Sequence, residues 1–93
     1  QQAIGQPDAG AALAALDALL RAAPDFAEAY DQRAIVHYRR GEFGKGVSDC
    51  EAVLRLNPFH FGAAAGMGQC YVRLNKPRAA VRAFQQALDI NPE

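Results

Sequence analysis

Leu54-Arg55-Leu56-Asn57-Pro58 returns as Leu88-Asp89-Ile90-Asn91-Pro92 and is preceded, in looser form, by Leu20-Arg21-Ala22-Ala23-Pro24. Each copy lies 34 residues from the next. The lattice extends beyond the prolines, because Leu13, Val47 and Val81 share it, as do Leu16, Cys50 and Phe84. A period of this length, built from two helical apolar patterns, describes units that cannot bury their apolar faces alone and must stack. The expected fold is all-α, a solenoid of antiparallel helix pairs.

Local punctuation places five helices at about 9–22, 27–40, 43–56, 61–74 and 77–90. Asp8, after Pro7, suits the N-cap of the first; Asp25 suits that of the second, with Glu28 three residues on completing a capping box. Gly41 and its lattice mate Asn75 are the residue types that accept the left-handed backbone ending a helix. Pro77 fits a first helical turn, whereas Pro58 and Pro92 push Asn57 and Asn91 out of helical geometry. Connections this short set neighbouring helices antiparallel.

With 93 residues, 51% of them apolar and 22% charged, the chain reads as one small domain. Its 10 Lys and Arg balance 10 Asp and Glu, so bulk charge draws it neither to nucleic acid nor to an anionic membrane. No apolar run approaches the roughly 20 residues that span a bilayer, so no membrane insertion is expected. The chain begins at Gln1 without Met or a signal-like segment; it reads as part of a longer protein, and its localisation stays open. Cys50 and Cys70 form no CxxC and fall on apolar helical patterns, which points to reduced core thiols.

These residues resemble a tetratricopeptide repeat array of about two and a half repeats: a partial one at 1–23, a second at 24–57 and a third at 58–93. In the last repeat Gly68, Tyr71, Ala80, Phe84, Ala87 and Pro92 fall on characteristic positions, and Ala64 occupies the usual first aromatic one. In the middle repeat Tyr30, Ala34, Val53 and Pro58 agree or are conservative, and in the first Ala12 and Pro24 do. Gly46, Cys50, Arg33 and His37 depart from the pattern, replacing an Ala, an aromatic, a Leu and a Tyr. The resemblance implies a right-handed superhelix in which Ala34 and Gly68 face Gly46 and Ala80 at close approach. Arg33 is expected to pack its stem along the core with its head in water, beside a satisfied His37.

Enzymatic constellations are missing. His37 and His60 are 23 residues apart, no Gly-rich phosphate loop follows a strand, and the lone serine, Ser48, lies mid-helix as a surface hydroxyl. His37, His60, Cys50 and Cys70 share no ligand spacing, so neither metal nor cofactor is expected. Function then lies in a surface. On the fourth helix Ala64, Met67, Gly68, Tyr71 and Leu74 form the core face, while Gly62, Gly66, Gln69 and Arg73 line the open side. The matching stripe on the second helix is Glu28, Gln32, Ile35 and Arg39, with Asp31 and Tyr38 beside it.

The family resemblance makes these stripes, with Ala65, the walls of a concave groove for a partner's peptide or helix. Some members clamp a C-terminal carboxylate there with Lys, Asn and Arg. Asp31, Ala65, Gln32 and Gly66 stand on the corresponding rows here, so chaperone-tail specificity is not expected. Arg39, Arg40, Lys45, Arg73, Lys76 and Arg78 gather near the turns within repeats, where they complement helix C-termini or form a basic rim. The leading expectation is a non-enzymatic protein-interaction module. The alternatives are a self-assembly element, weakly homo-oligomeric through open ends where Leu13, Leu16 and Leu20 are poorly covered, and an accessory segment of a larger enzyme.

Overall fold

The computed structural model describes residues 8–92; Gln1, Pro7 and Glu93 lie outside them. The chain forms α1 (Ala9–Ala22), α2 (Ala27–Arg39), α3 (Phe43–Leu56), α4 (Phe61–Arg73) and α5 (Pro77–Ile90), with no strand among the described residues. Each helix packs on the next, and α2 also touches α4. That last contact places the first helices of successive pairs side by side. α2 and α4 end one residue before the sequence pattern does, because Arg40 and Leu74 already serve as C-caps to left-handed Gly41 (φ 79°) and Asn75 (φ 58°). The Glu42 N–H then bonds the His37 carbonyl at 2.8 Å and the Lys76 N–H bonds that of Tyr71 at 2.9 Å, closing both ends alike.

At the N-termini, Asp8 caps α1 by accepting the Gly10 N–H at 3.0 Å. The expected Asp25 cap and its capping box do not form. Phe26 occupies the N-cap of α2 without a side-chain bond, which leaves Asp25 one residue too early to reach the first-turn amides. The Tyr30 hydroxyl instead donates to the Pro24 carbonyl at 2.9 Å and ties the turn to the helix.

Val53, Ala63 and Ala64 are fully buried at the centre, with Ala34, Cys50 and Cys70 around them. Small residues let the backbones approach. A Cβ at Gly46 would stand 2.9 Å from Cys70 Sγ and 3.7 Å from the Ala34 carbonyl oxygen, in keeping with the Ala34 contact. A Cβ at Gly68 would meet the Phe84 ring at 2.7 Å; Phe84, one turn along α5 from Ala80, lays its ring across the glycine.

The Arg33 head is not in water. Its Nε and one terminal nitrogen donate to both carboxylate oxygens of Asp49 at 2.9 and 2.8 Å, and the other terminal nitrogen donates to Asp17 at 2.9 Å. Asp49 is buried on α3, so the guanidinium turns inward to meet it. His37 is buried and satisfied, as expected: Nδ1 lies 2.9 Å from Glu42 Oε1, and Nε2 is 3.7 Å from Asp49.

On α1, Leu20 is buried and Leu13 and Leu16 are half-buried. The outer side of α5 differs. Val81 is 64% exposed where its lattice mate Val47 is 9% exposed.

Candidate functional site

α2 and α4 run side by side over α3, and between them opens a half-enclosed cavity of about 310 Å³. From α2 it is walled by Asp31, Ile35, Tyr38 and Arg39, and from α4 by Gly62, Gly66 and Gln69. Its floor is Ala34, Cys50 and Cys70. Of the other residues singled out in the sequence, Glu28 and Arg73 stand beside the cavity's two ends rather than on its wall. Gln32 points along α2, donating to Glu28 Oε2 at 3.0 Å, and Ala65 is half-buried on α4 outside the lining.

The floor is apolar and chemically quiet. Burial, then the neighbouring Cys70, pushes the Cys50 thiol up to about 12, and burial raises Cys70 as well. Both therefore stay protonated near neutrality and act as small apolar groups. Cys50 is the reduced core thiol expected from its apolar helical pattern, and it stands where the repeat usually has an aromatic. Its consequence is space: a Cβ at Gly66 would still stand 3.7 Å from Cys50 Sγ. The equivalent Phe84 fills the matching region with its ring against Gly68.

The two ends carry opposite charge. At the N-terminal end of α2, Glu28, Asp31 and a ring nitrogen of His60 lie within 4.8 Å of one another. Burial raises Asp31 above the ordinary carboxylate value; His60 opposes this and Glu28 reinforces it. His60 was not recognised as a structural residue in the sequence, yet its Nδ1 accepts the Ala63 N–H at 2.9 Å and caps α4. A neutral imidazole used this way carries its hydrogen on Nε2, so neither nitrogen offers a free lone pair to a metal ion while the cap holds. The ring also explains Gly62, where a Cβ would sit 3.3 Å from His60 Cε1. At the other end the Arg73 guanidinium lies 4.8 Å from the Phe43 ring centroid and 6.0 Å from that of Tyr38. Neither Arg39 nor Arg73 forms an ion pair among the described residues.

The family profile described as tetratricopeptide repeat matches residues 3–61 and again 32–93. The chain belongs to the tetratricopeptide repeat family. A TPR repeat-containing protein of Rhizobium etli is 37% identical over 82 residues, covering 88% of this chain and 40% of that protein. Among solved structures, YrrB, described as a TPR protein with an unusual peptide-binding site, aligns with a TM-score of 0.86 at 24% identity. That alignment covers 91% of this chain and 44% of YrrB. The first TPR of Spaghetti, bound to an HSP90 peptide, aligns with a TM-score of 0.83 at 22% identity over 87% of this chain and 64% of that one. This tetratricopeptide chain thus spans less than half of the Rhizobium protein and of YrrB.

Proposed function

We propose that the chain is a non-enzymatic interaction module that holds a peptide or helix of a partner protein between α2 and α4. The observation that carries this reading is the half-enclosed cavity with an apolar floor, lined by seven of the residues picked from the open stripes. Peptide binding by the structural neighbours is consistent with it. Ile35, 39% exposed on the wall, adds apolar surface that a partner would cover.

Gly66→Leu tests the reading. The first added carbon meets only Cys50 Sγ at 3.7 Å, so the side chain grows into the cavity. Removing a helical glycine favours the helix by roughly 0.8 to 1 kcal/mol. The expected pair of outcomes is an unchanged or raised melting temperature and lost binding of peptides selected from a phage-displayed random library on the wild-type chain. Selected peptides that bind Gly66→Leu equally well would place recognition on another face.

A second reading, self-assembly, is favoured by the outer side of α5, where Val81 and Leu88 are 64% and 50% exposed. Sedimentation across a wide concentration range decides it: association that Val81→Lys abolishes supports the reading, and a monomer throughout removes it.

A further inference from the structure

Resting on the groove reading, we propose that the preferred occupant is an extended segment carrying a basic, an apolar and an acidic side chain at alternate positions. The basic group meets Glu28 and Asp31, the apolar one enters over Cys50 and Gly66, and the acidic one meets Arg39 and Arg73.

No Lys or Arg pairs with the acidic end among the described residues, and the His60 ring nitrogen nearest the helix is taken up by the Ala63 N–H. Glu28 is held by Gln32, and Asp31 forms no ion pair among the described residues. Two carboxylates this close repel each other, and a guest ammonium or guanidinium relieves that repulsion. Burial first, and then Glu28, raises the Asp31 carboxyl, so a nearby cationic group would favour its charged form. The basic end mirrors it, with Arg73 laid on Phe43 and Arg39 exposed on the cavity wall. Charge complementarity therefore fixes which end of the guest lies where.

Spacing fixes the pattern. Asp31 and Arg39 are eight residues apart on one helix, about 12 Å along its axis at about 1.5 Å per residue. An extended chain advances about 3.3 Å per residue, so about four residues cover that length. Positions i, i+2 and i+4 of a strand project to the same side, which brings all three side chains onto the groove together. An α-helix, with a diameter of about 10 Å or more, is too thick to settle as deeply. Gly66 leaves part of the α4 wall as bare backbone, and a single extended chain can approach it closely.

The test uses fluorescent, end-capped heptapeptides read by anisotropy. Ala-Lys-Ala-Leu-Ala-Glu-Ala and its reverse, Ala-Glu-Ala-Leu-Ala-Lys-Ala, cover the two chain directions. The controls replace Leu by Gln, or Lys by Glu. At low salt one direction is expected to bind at least tenfold more tightly than both controls. Glu28→Lys combined with Asp31→Lys should reverse the preference between the Lys peptide and its Glu control. If no peptide binds up to millimolar concentration, or the charge reversal leaves the preference unchanged, the proposal is overturned. Gly66→Leu separates the two levels of inference. Binding lost in Gly66→Leu but indifferent to the charge reversal keeps the groove and removes the charge pattern, whereas binding indifferent to both removes the groove as well.

Discussion

Arg33, His37 and Asp49 in α2 and α3 stand at the lattice positions that Met67, Tyr71 and Ala83 take in α4 and α5. In the first pair these positions form an ionic network reaching Asp17 and Glu42; in the second they form part of the apolar packing. The backbone accommodates both solutions with the same helix lengths and the same left-handed turn after the first helix. The repeat therefore specifies the volume to be filled at these positions and leaves open whether ions or hydrocarbon fill it. What differs is tolerance to change. Apolar side chains can be replaced one by one at graded cost, while removing the partner of a buried charge such as Asp49 leaves that charge uncompensated.

The sharpest way to break the comparison is Arg33→Met, which copies a single residue of the last pair. It strands the Asp49 carboxylate, whose side chain is 7% exposed, and should cost about 3 kcal/mol, the lower end for a broken buried pair. Urea denaturation measures it. Copying the whole set, Arg33→Met with His37→Tyr and Asp49→Ala, should return stability to within about 1 kcal/mol of the original or raise it. A triple variant less stable than the single one would show that the two pairs are not interchangeable.

Gly68→Ala probes the apolar pair at a smaller scale. Its Cβ would press on the Phe84 ring at 2.7 Å, and a ring wedged between helices yields less readily than the thiol of Cys70 that faces Gly46. Overpacking should outweigh the helix gain and cost about 1 to 3 kcal/mol. Adding Phe84→Leu should recover part of the loss, and a double-mutant cycle with no coupling would refute the contact.

The smallest effect concerns acid. The hydrogen bond from His37, helped by Arg40 and Lys45, holds the Glu42 carboxyl below its ordinary value of 4.5. The folded state favours the charged form, so this stabilisation is present above 4.5 and is lost as pH falls through the lowered folded value. Asp31, raised by burial, acts with the opposite sign: protonation favours the folded state, and that benefit is lost as pH rises through its raised value. Glu42→Gln should lower the neutral plateau modestly and flatten the acid limb of a stability profile, so that the two proteins converge in acid. An acid limb of unaltered slope would show that Glu42 does not contribute.

The helices were legible in the sequence because the 34-residue lattice repeats every signal that makes them. Gly41 and Asn75 supported one another as stops, and the structure gives both a positive φ. The errors arose where a residue acts across helices rather than along one. Asp17 and Asp49 each lie 16 residues from Arg33, a separation that matches no helical or lattice period, so nothing local announced the ion pairs. The His60 cap escaped because histidine is not a usual capping residue, and Asp25 misled because it is one. Among the residues that line the cavity, the walls are visible in the sequence as open stripes. The floor is not, because Ala34, Cys50 and Cys70 read simply as core.

Arg33 sits on α2 but bonds to α1 through Asp17 and to α3 through Asp49. In a linear array whose parts couple only to their neighbours, unravelling can proceed from an end one element at a time. A single side chain shared by three consecutive helices changes that statistics: losing α1 or α3 disrupts the same knot, so the three open in concert. Among the described residues no ion pair ties α5 to α4. The three helices that share Arg33 therefore open as one cooperative block, where helices coupled only through their neighbours would separate one at a time.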